Sequence, residues 1–199
     1  MEGRSHLLIG LTAGIVLDNF VHLSGDPLTV AKAVPLALLV NKAVYYVAVG
    51  IGALLPDIDN ARSTMGHKFG IISKTIQKVA GHRTFFHSLL GLFFGSLLAL
   101  GAERLIMYLL DQHGLSLPAA VVGTTHMFFL GVLFGCVMHI AADGLTLGGV
   151  PLFWPSHKRY GFPPDSHWRF KTGSWPEHVI VWGFIIVVTI LIWQAYLVI

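Results

Sequence analysis

Apolar residues in this chain gather into five long runs separated by short polar or mixed segments, the pattern of helices meant for a bilayer. Spanning a bilayer takes about 20 mostly apolar residues in a helix. The five segments run roughly from His6 to Leu23, Pro35 to Leu55, Phe85 to Leu110, Pro118 to Asp143 and His178 to Ile199. The first is broken by Asp18 and His22, whereas Val181 to Trp193 in the fifth carries no ionisable residue. Two longer connections remain, Pro56 to Thr84 and Gly144 to Glu177. In the first, Ile71, Ile72, Thr75, Ile76 and Val79 recur at helical spacing with Lys74 and Lys78 elsewhere, which predicts a short amphipathic helix. The second is rich in Gly, Pro and aromatics and predicts an ordered loop.

Composition points the same way. Over 199 residues the hydrophobic share is 54% and the charged share 12%, with a mean hydropathy of +0.70. That charged share is about half of what a soluble protein carries, which excludes disorder and argues against a freely soluble domain. The reading is one all-α domain over residues 1–199, an integral membrane bundle of about five transmembrane helices. A net charge of +3 without any Lys/Arg run excludes nucleic acid as a partner. Cys136 is the single cysteine, so no internal disulfide or thiolate cluster can form, and its apolar setting reads as packing. Arg4 followed by Leu7 to Leu17 mimics a signal peptide, but Asp18, Asn19, Phe20 and His22 stand where a small-residue cleavage site belongs. The segment reads as a retained helix.

Lys and Arg set the orientation. The Pro56–Thr84 connection holds Arg62, Lys68, Lys74, Lys78 and Arg83, and the Gly144–Glu177 connection holds Lys158, Arg159, Arg169 and Lys171. With five spans, both share one side with Arg4, while the other side has only Lys32 and Lys42. The expected topology is multi-pass, with the N-terminus cytoplasmic and the C-terminus outside.

Three sequence-distant polar groups fall on that cytoplasmic face. Asp57 and Asp59 follow the second span, His82 and His87 flank the start of the third, and His139 and Asp143 close the fourth. His139 and Asp143 are i and i+4, so a helix stacks them on one face, able to hold one ion. Asp57 and Asp59 lie in a post-proline segment where alternating side chains can address two metals, or a metal and its water. His and Asp donors without thiolate suit zinc, manganese or iron, and two ions about 3.5–4 Å apart can clamp a phosphoester displacement. Each element also has a plain structural role open to it: a buried polar pair, turn residues, a loop histidine. Arg83 suits a phosphate or carboxylate, Thr84 suits the cap of the third helix, and His6 is a possible extra ligand on the same face. His157, Lys158 and Arg159, among aromatics, suit a lipid headgroup or an interfacial belt. Asp18 and His22 read as helix-pairing groups, Glu103 and Arg104 as snorkelling ones, and His113 and His126 are given no role.

In order along the chain stand Leu55-Pro56-Asp57-Ile58-Asp59, His82-Arg83 with His87-Ser88, and His139-x-x-x-Asp143-Gly144-x-Thr146-x-x-Gly149 followed by Trp154-Pro155. This series resembles the YdjM-type family of bacterial and archaeal inner-membrane proteins, described as metal-dependent hydrolases. The match runs from about Leu54 to Tyr160, with Ser5, His6 and Gly10 also fitting and departures at Thr84 and Phe86. A looser likeness links the His-x-x-x-Asp pair to zinc-dependent phospholipases C. The resemblance implies an inner-membrane hydrolase. The expectation is hydrolysis of a phosphoester in a lipid or lipid-linked substrate, with Asp57, Asp59, His82, His87, His139 and Asp143 as metal ligands. Asp57, Arg83 and Asp143 are the expected catalytic groups, and Arg83, His157, Lys158 and Arg159 the expected substrate contacts. Zinc is the first candidate, as one or two ions, with manganese, iron or magnesium behind it. Competing expectations are a divalent-cation transporter and a non-catalytic membrane scaffold. Membrane lipid is the environment and a candidate substrate; oligomeric state is not legible.

Overall fold

The computed structural model describes residues 1–21, 36–80, 83–115 and 119–197. Among these the chain forms six α-helices and no strands: α1 (Gly3–Val21), α2 (Leu36–Leu54), α3 (Thr64–Ala80), α4 (Leu89–Gln112), α5 (Ala119–Gly144) and α6 (Trp175–Leu197). Leu38–Asp59, Leu89–Gln112 and Val121–Gly144 are long and apolar enough to cross a membrane, and Trp175–Leu191 is a shorter apolar stretch. The all-helical membrane bundle is therefore as expected.

Glycine spacing places the helices. On α5, Gly131, Gly135, His139 and Asp143 recur every four residues, so they share one stripe. A Cβ at Gly131 would lie 2.6 Å from the Tyr45 carbonyl oxygen, and one at Gly135 only 2.2 Å from that of Val49. From the other side, a Cβ at Gly52 would lie 2.0 Å from the Val132 carbonyl oxygen. Backbone thus packs against backbone, the small-residue mode of helix association in membranes. Among the described residues the α2–α5 contact is the most extensive, and its apolar side chains Tyr45, Ala48, Val49 and Ala53 are fully buried. At the end away from the site, Thr124 donates to the Asn41 side-chain oxygen at 2.5 Å.

Helix α1 repeats the device with His6, Gly10, Gly14 and Asp18, all buried. Gly10 abuts Ala53 and Gly14 abuts Val49. Asp18 then accepts from Lys42 Nζ at 2.7 Å and Tyr46 Oη at 2.8 Å. Its helix-pairing role holds; His22 lies outside the described residues.

Three expectations need correction. The third apolar segment opens not as α-helix but as a 3-10 turn, Phe85–His87, and α4 starts at Leu89. Ser88, not Thr84, is its cap: the Ser88 hydroxyl accepts from Gly91 N–H at 3.0 Å and donates to the Phe85 carbonyl at 2.7 Å. Glu103 does not snorkel, because it is buried with its carboxylate in close contact with the His126 imidazole of α5.

The amphipathic helix appears as α3, broken at Gly70 (φ 41°). It is anchored through Ser63, whose hydroxyl donates to the Asp57 carbonyl at 2.7 Å and accepts from Gly66 N–H at 2.9 Å. The Gly144–Glu177 connection is an ordered loop, as expected. It is held by bridges between Thr146 and Phe170 and between Val150 and Tyr160, and tied to α4 by Leu89 N–H on the Leu152 carbonyl. At its end, the buried Glu177 carboxylate accepts from the amides of Glu2 and Gly173, each at 2.9 Å, joining α6 to the start of α1.

Candidate metal centre

The ends of these elements converge on one buried polar cluster. The α1 stripe supplies His6, the α5 stripe supplies His139 and Asp143, the 3-10 turn after α2 (Leu55–Asp59) supplies Asp57 and Asp59, and the 3-10 turn before α4 supplies His87. His6, His87, His139, Asp59 and Asp143 are fully or almost fully buried, and Asp57 is 8% exposed.

His139 is the hub. Its Nδ1 lies 2.7 Å from the Ala53 carbonyl oxygen. A ring N–H must donate there, which leaves the lone pair on Nε2 facing the cluster. His139 Nε2 stands 3.2 Å from His87 Nε2, 3.8 Å from Asp57 Oδ1 and 3.9 Å from Asp143 Oδ2. His87 Nε2 is 3.9 Å from Asp57 Oδ1 and 3.6 Å from Asp143 Oδ2. The His6 ring stacks on that of His139 with centroids 3.7 Å apart, which puts His6 Nε2 3.2 Å from Asp143 Oδ1. Among the described residues, two groups meet the donor spacing of a metal centre: His6, His139 and Asp143, and Asp57, His87 and His139.

The arrangement fits a divalent ion. Two nitrogens on one tetrahedral ion, each at about 2.0–2.1 Å, stand about 3.3 Å apart, close to the His87–His139 separation. Asp143 Oδ2 is buried beside both Nε2 atoms without a hydrogen bond, an arrangement that costs free energy unless a cation meets it. The donor set, nitrogen and carboxylate oxygen with no sulfur, is that of zinc, manganese or iron sites.

Asp59 stands apart from this ring of donors. Its Oδ2 faces Nδ1 of His87 at 3.3 Å, on the far side of the imidazole, and accepts the Arg83 N–H at 3.1 Å. A carboxylate behind a ligating histidine fixes the ring's tautomer and orientation. The aspartates two residues apart therefore address the two nitrogens of one histidine, because the segment is a 3-10 turn rather than an extended strand.

Arg83 is the partly exposed cation of the cluster. Its backbone takes the left-handed conformation (φ 53°), its Nη2 donates to Asp143 Oδ1 at 2.7 Å, and its side chain is 16% exposed. Gly148 leaves room for the guanidinium, since a Cβ there would lie 2.5 Å from Arg83 Nη1. The amino group of Met1 also contacts Asp143 Oδ1. His82 lies outside the described residues. His157, Lys158 and Arg159 are exposed: Lys158 lies over the Tyr160 ring, and Arg159 donates to the Gly148 carbonyl at 3.2 Å. Thr146, buried, donates to the Asp143 carbonyl at 2.8 Å and closes the C-terminal turn of α5.

A family model described as YdjM inner membrane protein matches residues 1–198. Relatives include the inner membrane protein YdjM of Escherichia coli (strain K12), 41% identical over 110 residues, or 55% of this chain and 48% of that protein. The YdjM of Shigella flexneri matches with the same figures. The uncharacterized protein YvsG of Bacillus subtilis (strain 168) is 33% identical over 133 residues, 67% of this chain and 68% of that protein. The matched segment thus spans about half the length of the YdjM relatives, and no solved structure matches. With the match running over nearly every residue, the chain belongs to the YdjM inner membrane protein family.

Proposed function

We propose that this protein is a multi-pass inner-membrane hydrolase that uses a divalent metal to cleave a phosphoester in a lipid or lipid-linked substrate. One observation carries the reading: five buried donor side chains, His6, Asp57, His87, His139 and Asp143, converge from four separate segments beside a partly exposed arginine. Ionisable groups in a membrane bundle are rare and mark function by default. The relatives named as inner membrane proteins support the location. The Lys/Arg distribution supports a cytoplasmic site and N-terminus with the C-terminus outside.

A divalent ion bound by those five side chains supplies water activation and Lewis acidity at a phosphoryl oxygen. Because His139 has only Nε2 to offer, it can ligate a single ion. The protein's own groups do the rest. Arg83 binds the phosphate and balances its charge, while Asp59 holds His87 in one tautomer. Asp57, the most open of the carboxylates, accepts the proton of the attacking water. Arg159 and Lys158 take the outer headgroup oxygens. Between His6 and Asp18 the α1–α2 seam is filled by Ala53 and Val49, which favours hydrolysis over cation transport.

The test is release of headgroup from dioleoyl phosphatidic acid, phosphatidylglycerol and a polyprenyl phosphate by zinc-loaded protein in detergent. Turnover is expected with one of these, and it falls at least ~100-fold in His139→Ala, in line with loss of an activating ion. Equal turnover in a His139→Ala/Asp143→Ala variant contradicts the proposal.

A further inference from the structure

We propose that the groove between α1, α2 and α3 is a separate binding site for an anionic phospholipid of the surrounding leaflet, with one acyl chain in the groove and the phosphate at Lys68. This inference does not rest on the hydrolase reading. The groove holds about 370 Å³ and is lined by Leu7 and Leu11 of α1, by Val47, Gly50 and Leu54 of α2, and by Met65 and Lys68 of α3. Along α2 it extends from Leu54 past Gly50 to Tyr46, about 12 Å at 1.5 Å per residue. Gly50 forms its floor: a Cβ there would already lie 3.1 Å from Leu7 Cδ1.

Charge complementarity selects the occupant. The apolar walls end in a cation, Lys68, with Arg4 one turn above Leu7 on the same side of α1. Helix α3 carries Lys68, Lys74 and Lys78 and no acidic residue. Beyond the Gly70 break it buries Ser73 yet leaves Ile71 82%, Ile72 57% and Val79 83% exposed. An uncovered apolar arc flanked by lysines is the profile of a helix lying in the bilayer interface. In that position α3 sets Lys68 at headgroup depth, directly over a groove that continues into the acyl region. A zwitterionic headgroup would bring its own cation to the same lysines, whereas an anionic one brings none.

Native mass spectrometry of protein exchanged into equimolar dioleoyl phosphatidylglycerol and dioleoyl phosphatidylcholine tests this. Each basic residue near an anionic surface favours binding about fivefold. Wild type is expected to retain phosphatidylglycerol over phosphatidylcholine by at least about that factor. Lys68→Gln with Arg4→Gln removes the preference, Lys68→Arg restores it, and Gly50→Leu lowers retention of both lipids by filling the floor. Val47→Trp fills the groove from its lipid-facing side and serves where Gly50→Leu does not fold. Equal retention of the two lipids by wild type overturns the proposal, as does unchanged retention in both groove-filling variants. Displacement by glycerol 3-phosphate, with the groove fillings silent, also overturns it, since the cation alone would then be binding.

Discussion

Gly135→Ala tests the physical link between helix packing and the site. A Cβ on Gly135 would lie 2.2 Å from the Val49 carbonyl oxygen and 2.6 Å from the Ala53 nitrogen. Both are backbone atoms, and neither can swing aside. Ordinary contact begins at 3.4 Å, so at this level α5 must retreat from α2 by about 1.2 Å. One turn further along the same stripe, the His139 Nδ1 to Ala53 carbonyl distance is 2.7 Å. The same displacement carries it beyond hydrogen-bond range. The ring then loses the group that fixes its tautomer, and Nε2 leaves a site whose bond lengths tolerate only about 0.2 Å. Loss of such an outer partner lowers metal affinity by about 10- to 100-fold. Competition for zinc against a chromogenic chelator in detergent measures it. Gly123→Ala is the control, because nothing lies within 4 Å of its Cβ on the same helix, and its affinity stays at the wild-type value. Wild-type affinity in Gly135→Ala would refute the seam as the device that sets His139.

Asp59→Asn should retain the fold yet weaken zinc affinity by about 10- to 100-fold, because it alters the group behind His87 Nδ1; a loss no larger than twofold speaks against that role. Asp18→Leu strands the Lys42 ammonium and the Tyr46 hydroxyl and should lower stability by about 3 kcal/mol in a detergent melt. Adding Lys42→Met should restore most of that, and no recovery would mean the pair is not what Asp18 stabilises. Zinc added to chelator-stripped protein at 100 times its Kd should raise stability by about 2.7 kcal/mol, a gain absent from His139→Ala; an equal gain in both would place the zinc elsewhere.

Much of the site is readable from the chain because polar groups in apolar runs are few, and each must find a partner. Asp57, His87, His139 and Asp143 stand out for that reason, and the i, i+4 spacing of the last two already places them on one helix face. The local backbone is harder to read. A 3-10 turn at Leu55–Asp59 turns Asp57 and Asp59 to opposite nitrogens of one ring, and no period in five residues announces it. Glu103 beside Arg104 looks like a surface pair, but its partner His126 comes from a different helix. Ser63 and Glu177 escape notice for a related reason: each serves backbone groups, and backbone partners leave no motif. The stripe His6–Gly10–Gly14–Asp18 takes its meaning only from the opposing surface of α2.

The most direct test is elemental analysis of detergent-purified protein after size exclusion, wild type beside His139→Ala/Asp143→Ala. The account predicts about one or two equivalents of zinc, manganese or iron in the wild type, lost from a variant that elutes at the same position. Wild-type protein that is folded, exposed to these metals and still metal-free would contradict it.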